Sequence, residues 1–226
     1  MMPKVELPIP TFQQVARMAP ELNSWTSMAA RAYGMYSGIN EAIKMTRGKN
    51  ALAKERANEI RQEMIMMTLI RLFAVMDRQS EVSLQSAYRF LNQPTALAEV
   101  VQWYSSGQDP TVDAPATCSA ALDKFLSVYR QVDFKGFGRI QSFRNGQIAH
   151  IAWPDAEKAK VTYSEVETMV RACCEMAGQL TLMTSGLNDW PDEHLNEAHH
   201  DAYEFWHAAI SADAEGRLED SKEAIP

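Results

Sequence analysis

Apolar residues recur at intervals of three and four along most of this chain, the spacing that lines one face of an α-helix. No segment alternates apolar and polar residues between hairpin turns, as a half-buried strand would. The clearest helix is expected over residues 51–77. Its first half is charged (Lys54, Glu55, Arg56, Glu59, Arg61, Glu63), and its second half reads Met-Ile-Met-Met-Thr-Leu-Ile-Arg-Leu-Phe-Ala-Val-Met from residue 64 to 76. Flexible thioethers in such a run suit a core better than a cofactor surface. Upstream, residues 11–34 read as a helix with Thr11 as N-cap, and Pro20 is expected to interrupt or restart it. Downstream, a short helix is expected over 83–91 with Ser83 as cap, then a segment from Pro94 through Val100 and Trp103 to Gly107. Residues 108–115 read as a loop and 117–134 as a helix, after which Gly136 and Gly138 are expected to loosen the chain. A polar connection over 152–160 leads to a long helix over 162–185, capped by Thr162 or Ser164 and stopped by Gly186. A turn at 188–191 and an amphipathic helix over 193–212 complete the pattern.

These elements predict an all-α helical bundle. With 226 residues and 46% hydrophobic content, one substantial core is expected. Residues 1–213 are assigned to one domain and 214–226 to a polar, disordered tail. No run of eighteen apolar residues and no apolar leader stretch is present, so no membrane span or secretory signal is expected. Cys118, Cys173 and Cys174 form neither a disulfide framework nor a Cys-x-x-Cys metal spacing. A reduced, cytoplasmic protein is the corresponding expectation.

Charge sharpens the picture. The net charge is −7, which argues against a broad nucleic-acid-binding face. The acids are concentrated at one end, however: residues 189–226 hold eleven acids against two bases, so the rest of the chain is slightly basic. Residues 117–150 hold five bases (Lys124, Arg130, Lys135, Arg139, Arg144) against Asp123 and Asp133.

That local excess surrounds the stretch Ser-Phe-Arg-Asn-Gly-Gln-Ile-Ala-His from 142 to 150. Arg144 can hold a phosphate through paired hydrogen bonds, and His150 can move protons near neutral pH. In an unbroken helix, residues six apart lie about 120° apart around the axis. The two would not share a face, so the helix ends near the motif or each residue meets partners from another element or subunit.

Arg144-Asn145 followed by His150 resembles the signature of the HEPN superfamily, an arginine and a polar residue followed a few positions later by a histidine. The similarity is greater to its abortive-infection U-type branch, which carries an arginine-polar motif ending in Ala-His, then a polar linker and a capped helix. Here Ala149-His150 is followed by that linker and by Val-Thr-Tyr-Ser-Glu-Val-Glu-Thr-Met-Val over 161–170. Leu69-Ile-Arg71-Leu-Phe73 and Val82-Ser83-Leu84 resemble the branch's Arg-aromatic-Asp helix and the Ser-Leu helix after it. The branch has an aspartate after the aromatic residue; here Ala74 stands there and the nearest acid is Asp77. The similarity spans residues 51–185.

The resemblance implies a HEPN-type bundle, with additional N- and C-terminal helices here. It implies a homodimer bringing two Arg-His motifs to one cleft, and metal-independent cleavage of RNA through 2′-hydroxyl attack. Members of this kind act as toxins or phage-defence effectors, which makes a cognate antitoxin or another protein an expected partner. Arg144, Asn145 and His150 become the candidate catalytic residues, and Arg71, Arg139 and Lys135 the candidate substrate contacts. No cofactor and no metal ligand is expected. The alternative is a catalytically inactive HEPN module that binds nucleotide, RNA or a protein partner.

Competing constellations are weaker. His200, Glu204 and His207 fall on one helical face, a spacing that suits a metal, but nothing completes a ligand set. Trp103-Tyr104 can stack a base, although packing explains the pair as well. Gly136-Phe137-Gly138 is too short for a phosphate loop.

Overall fold

Thr11 opens the first helix as expected. Its hydroxyl accepts from the Gln14 N–H, and the Gln14 side chain accepts in return from the Thr11 N–H at 2.8 Å, a reciprocal capping box. The computed structural model describes residues 7–47, 50–107, 113–143 (side chains to 138) and 162–212. Among them, α1 (Phe12–Met45), α2 (Ala51–Met76), α3 (Leu84–Leu91), α4 (Ala96–Gly107), α5 (Ala114–Gln131), α6 (Phe134–Phe143), α7 (Tyr163–Ser185) and α8 (Pro191–Ser211) follow one another without a strand. The all-α expectation holds. No helix of the described residues is long and apolar enough to cross a membrane.

Pro20 does not break α1. It removes one backbone donor, but Val15, Met18, Ala19 and Leu22 on both sides of it are buried, and their packing holds the helix continuous. The helix also runs well past Gly34, to Met45, because Gly34 and Gly38 serve a tertiary contact. A Cβ on Gly34 would collide with the Leu195 carbonyl of α8, and one on Gly38 with the His199 carbonyl. Ala30, Gly34, Gly38 and Ala42 form a row of small residues four apart, all buried. The two backbones therefore approach closely along this row. His199 strengthens the join: Nδ1 lies 3.2 Å from Ser37 Oγ, and Nε2 lies 3.1 Å from a Glu41 carboxylate oxygen.

Around α1 pack α8, α2 and α7, and α5 covers the other side of α7. The main core includes Leu22, Ala29, Leu72, Met76, Leu84, Leu91, Phe125, Met176 and Leu180. A second, smaller core of Ile39, Ala57, Ala202 and Ile210 closes the end where α1, α2 and α8 meet. Of the methionine-rich run, Met76 is buried and Met64 packs against the core, whereas Met67 is exposed.

Most helix ends follow the residues that announced them. Ser83 caps α3 by accepting from the Ser86 N–H at 3.1 Å. Thr162 and Glu165 form a capping box on α7, and Gly186 ends it at φ 71°, a left-handed conformation that suits glycine. Other boundaries differ, α5 and α6 most of all. α5 starts at Ala114, with Asp113 accepting from the Ala116 N–H at 3.1 Å and Pro115 in the first turn, a position where its missing donor does no harm. Gly136 and Gly138, expected to loosen the chain, lie inside α6. The Lys135 N–H donates to Asp133 Oδ1 at 3.0 Å, and Phe137 is buried, which outweighs a glycine penalty of about 1 kcal/mol each.

Replacing Gly34 or Gly38 by alanine is expected to lower stability by about 1–3 kcal/mol through overpacking against α8. Gly138→Ala, where a Cβ meets open space, is expected to raise it by about 0.5–1 kcal/mol. Urea midpoints of the three variants measure both effects; a neutral Gly34→Ala would refute the close approach.

Candidate functional site

The end of α5, the first turns of α6 and the first half of α7 enclose a cleft of about 410 Å³. Val128, Val132, Phe137, Met169 and Ala172 give it an apolar floor, and Lys124, Gln131, Asp133, Ser164, Glu165, Thr168, Arg171 and Glu175 give it a polar margin. Every one of the α7 residues comes from a single stripe at three- and four-residue spacing, starting one position after the helix opens. Arg171 donates from Nε to Glu167 Oε1 at 3.0 Å.

Two aromatic contacts hold the short helix α6 in place. Phe134, its first residue, lies 5.2 Å from the ring of Tyr129, which itself stacks on Tyr88 of α3 at 3.7 Å. Phe137, 6% exposed, stacks on Phe73 of α2 at 5.0 Å and 13°. Burial, and then the neighbouring Tyr88, push the Tyr129 hydroxyl up to about 12. Ala74, beside Phe73, is exposed on α2.

The candidate catalytic residues Arg144, Asn145 and His150 lie outside the described residues. In chain order Arg144 directly follows Phe143, the last residue of α6, and the chain is described again from Thr162. Arg139 falls within α6, and Lys135, in its first turn, is exposed. Arg71 occupies a different face of α2 from Phe73, since residues two apart in a helix are about 200° apart. Its guanidinium donates to the Met28 carbonyl of α1 at 2.8 Å. It does not pair with Asp77, whose carboxylate accepts from the Gln79 N–H at 2.8 Å. The structure thus brings Phe73 beside α6 and leaves Arg71 bracing α1 against α2.

Phe137 and Thr168 were not expected at a site, and Lys124 stood out only as one of the local bases. The signal for Thr168 was available as the polar stripe Ser164-Thr168-Arg171-Glu175 beside the apolar stripe of the same helix. Phe137 was hidden by the glycines on either side.

The other constellations take structural roles. His194 Nδ1 lies 3.2 Å from Arg31 Nη2, and the His207 ring stacks on Tyr203 at 5.4 Å. No group of three potential metal ligands forms among the described residues. Trp103 donates from Nε1 to the Thr184 carbonyl at 2.9 Å and meets Phe12 edge-on, consistent with packing. Cys118, Cys173 and Cys174 are buried as free thiols, and burial pushes the Cys174 thiol up to about 12.

No protein-family model, curated protein or solved structure matches this chain.

The raised Tyr129 group has a definite sign. An ordinary tyrosine loses its proton near pH 10, so between about pH 10 and 12 the unfolded chain releases a proton that the folded one keeps. The stability tied to this group is therefore present below pH 10 and lost as pH rises towards 12. Tyr129→Phe is expected to flatten the alkaline fall of the urea midpoint; an unchanged pH profile would rule the assignment out.

Proposed function

We propose that this chain is a metal-independent endoribonuclease of HEPN type, acting as a dimer in a toxin or phage-defence setting, with Arg144, Asn145 and His150 as its catalytic set. In this reading His150 takes the proton from a ribose 2′-hydroxyl as the oxygen attacks the adjacent phosphorus. Arg144 holds the phosphate and stabilises the charge that develops on its oxygens. Asn145 orients the imidazole or bonds the phosphate. The P–O5′ bond breaks, and the leaving oxygen takes a proton from His150 of a second copy. The products are a 2′,3′-cyclic phosphate and a 5′-hydroxyl. Lys135 and Arg139 serve flanking phosphates, and Arg71 supports the α1–α2 frame.

The observation that carries this reading is the Phe73–Phe137 stack at 5.0 Å. The two stretches on which the family resemblance rests are some seventy positions apart in the chain. The stack joins the Arg-aromatic stretch of α2 to the helix that leads into Arg144. The capping box at Thr162, directly after the linker, supports it further, as does the cleft beside α6.

The test is cleavage of single-stranded RNA by purified protein in the presence of a chelator. The parent is expected to cut and to leave 5′-hydroxyl ends. His150→Ala and Arg144→Ala are expected to lose about 10²–10⁴-fold in rate. Cleavage by His150→Ala at the parental rate would defeat the proposal. A parent that binds RNA without cutting it would assign the chain to the catalytically inactive class instead.

A further inference from the structure

Resting on the RNA reading of the same region, we infer that the cleft between α5, α6 and α7 seats a single unstacked nucleobase of the RNA. Its volume of about 410 Å³ falls in the range of small-ligand sites, about 300–1,000 Å³. The lining is divided as a base requires. Val132, Phe137 and Met169 offer an apolar floor to the flat faces, and Lys124, Gln131 and Thr168 offer donors and acceptors to an edge. The floor is also firm, because Phe137 is backed by the ring of Phe73.

Charge selects the base over the phosphate. Asp133, Glu165 and Glu175 border the cleft against Lys124 and Arg171. Three carboxylates beside two cations do not make a phosphate site. They tolerate a neutral ring. The phosphate is left to Arg139 of α6 and to Arg144, which follows the helix in chain order. Phe143, which directly precedes Arg144 in chain order, lies about 9 Å along the helix axis from Phe137. At the other margin, Ser164 lines the cleft two residues after Thr162, where the described chain resumes.

The consequence for substrate choice is a demand for an unpaired base with little preference for its identity, because every base offers a flat face for stacking. A duplex keeps its bases stacked and would be excluded.

The test uses the full chain carrying His150→Ala, so that the probe stays intact. Its affinity for a short fluorescent single-stranded oligoribonucleotide is measured by anisotropy, beside that for an abasic strand of equal length. The abasic strand is expected to bind about tenfold more weakly. Ala172→Leu fills the cleft without changing charge, and Thr168→Leu does so from an exposed margin position that the fold does not depend on. Each is expected to weaken binding of the base-bearing strand by a similar factor and to leave the abasic strand unaffected. If both variants bind the base-bearing strand as tightly as the His150→Ala protein, the base site is overturned, whether or not the parent cuts RNA. If the variants lose that discrimination while the parent proves unable to cut, the base site stands and the catalytic reading falls.

Discussion

Two missing side chains set the geometry of this bundle. At Gly34 and Gly38 the backbone of α1 comes so close to α8 that any Cβ would collide with a main-chain carbonyl. The join buries the small-residue face of α1 and leaves its other faces for α2 and α7. A larger residue at either position would push α8 outward and open the small core of Ile39, Ala57, Ala202 and Ile210. The same logic recurs on α7, where the Trp190 ring lies directly over Gly178 and fixes the corner between α7 and α8. Large-on-nothing contacts of this kind set helix spacing more sharply than leucine against leucine, because neither backbone can give way.

With α1, α2 and α7 held in this frame, the cleft region follows. α7 presents a buried stripe inward, with Val166, Met169, Val170 and Cys173, and a polar stripe outward towards α6. α6 itself is a short helix with two glycines and little intrinsic helix preference. Its place is set by aromatic rings on both of its early turns. The position of the cleft therefore depends on α2 and α5 as much as on α6.

Helices whose ends carry a chemical mark were legible in the sequence. Thr11, Ser83, Thr162 and Gly186 each act where the residue type announces it, because a cap is a local interaction among residues three or four apart. What escaped notice was non-local. Pro20 and the glycines at 34, 38, 136 and 138 all argue locally against helix, and in each case packing prevails: the buried neighbours of Pro20, α8 against Gly34 and Gly38, and Phe73 against Phe137. The cleft was half legible. Its α7 margin appears as a polar stripe, whereas its floor depends on a ring placed between two glycines. The Arg144–His150 pair stood out through residue chemistry alone, and it falls outside the described residues.

The α1–α8 join also has a meaning in time. The partners it unites are some 160 positions apart, as with Arg31 and His194 or Ser37 and His199. Contacts of such long range are slow to form because the loop between them must first close. During synthesis, α1 leaves the ribosome long before α8 exists. Its small-residue face stays uncovered until α8 has been made. α1 is thus fully clothed only long after it emerges, and the nascent chain carries an open seam until α8 closes it.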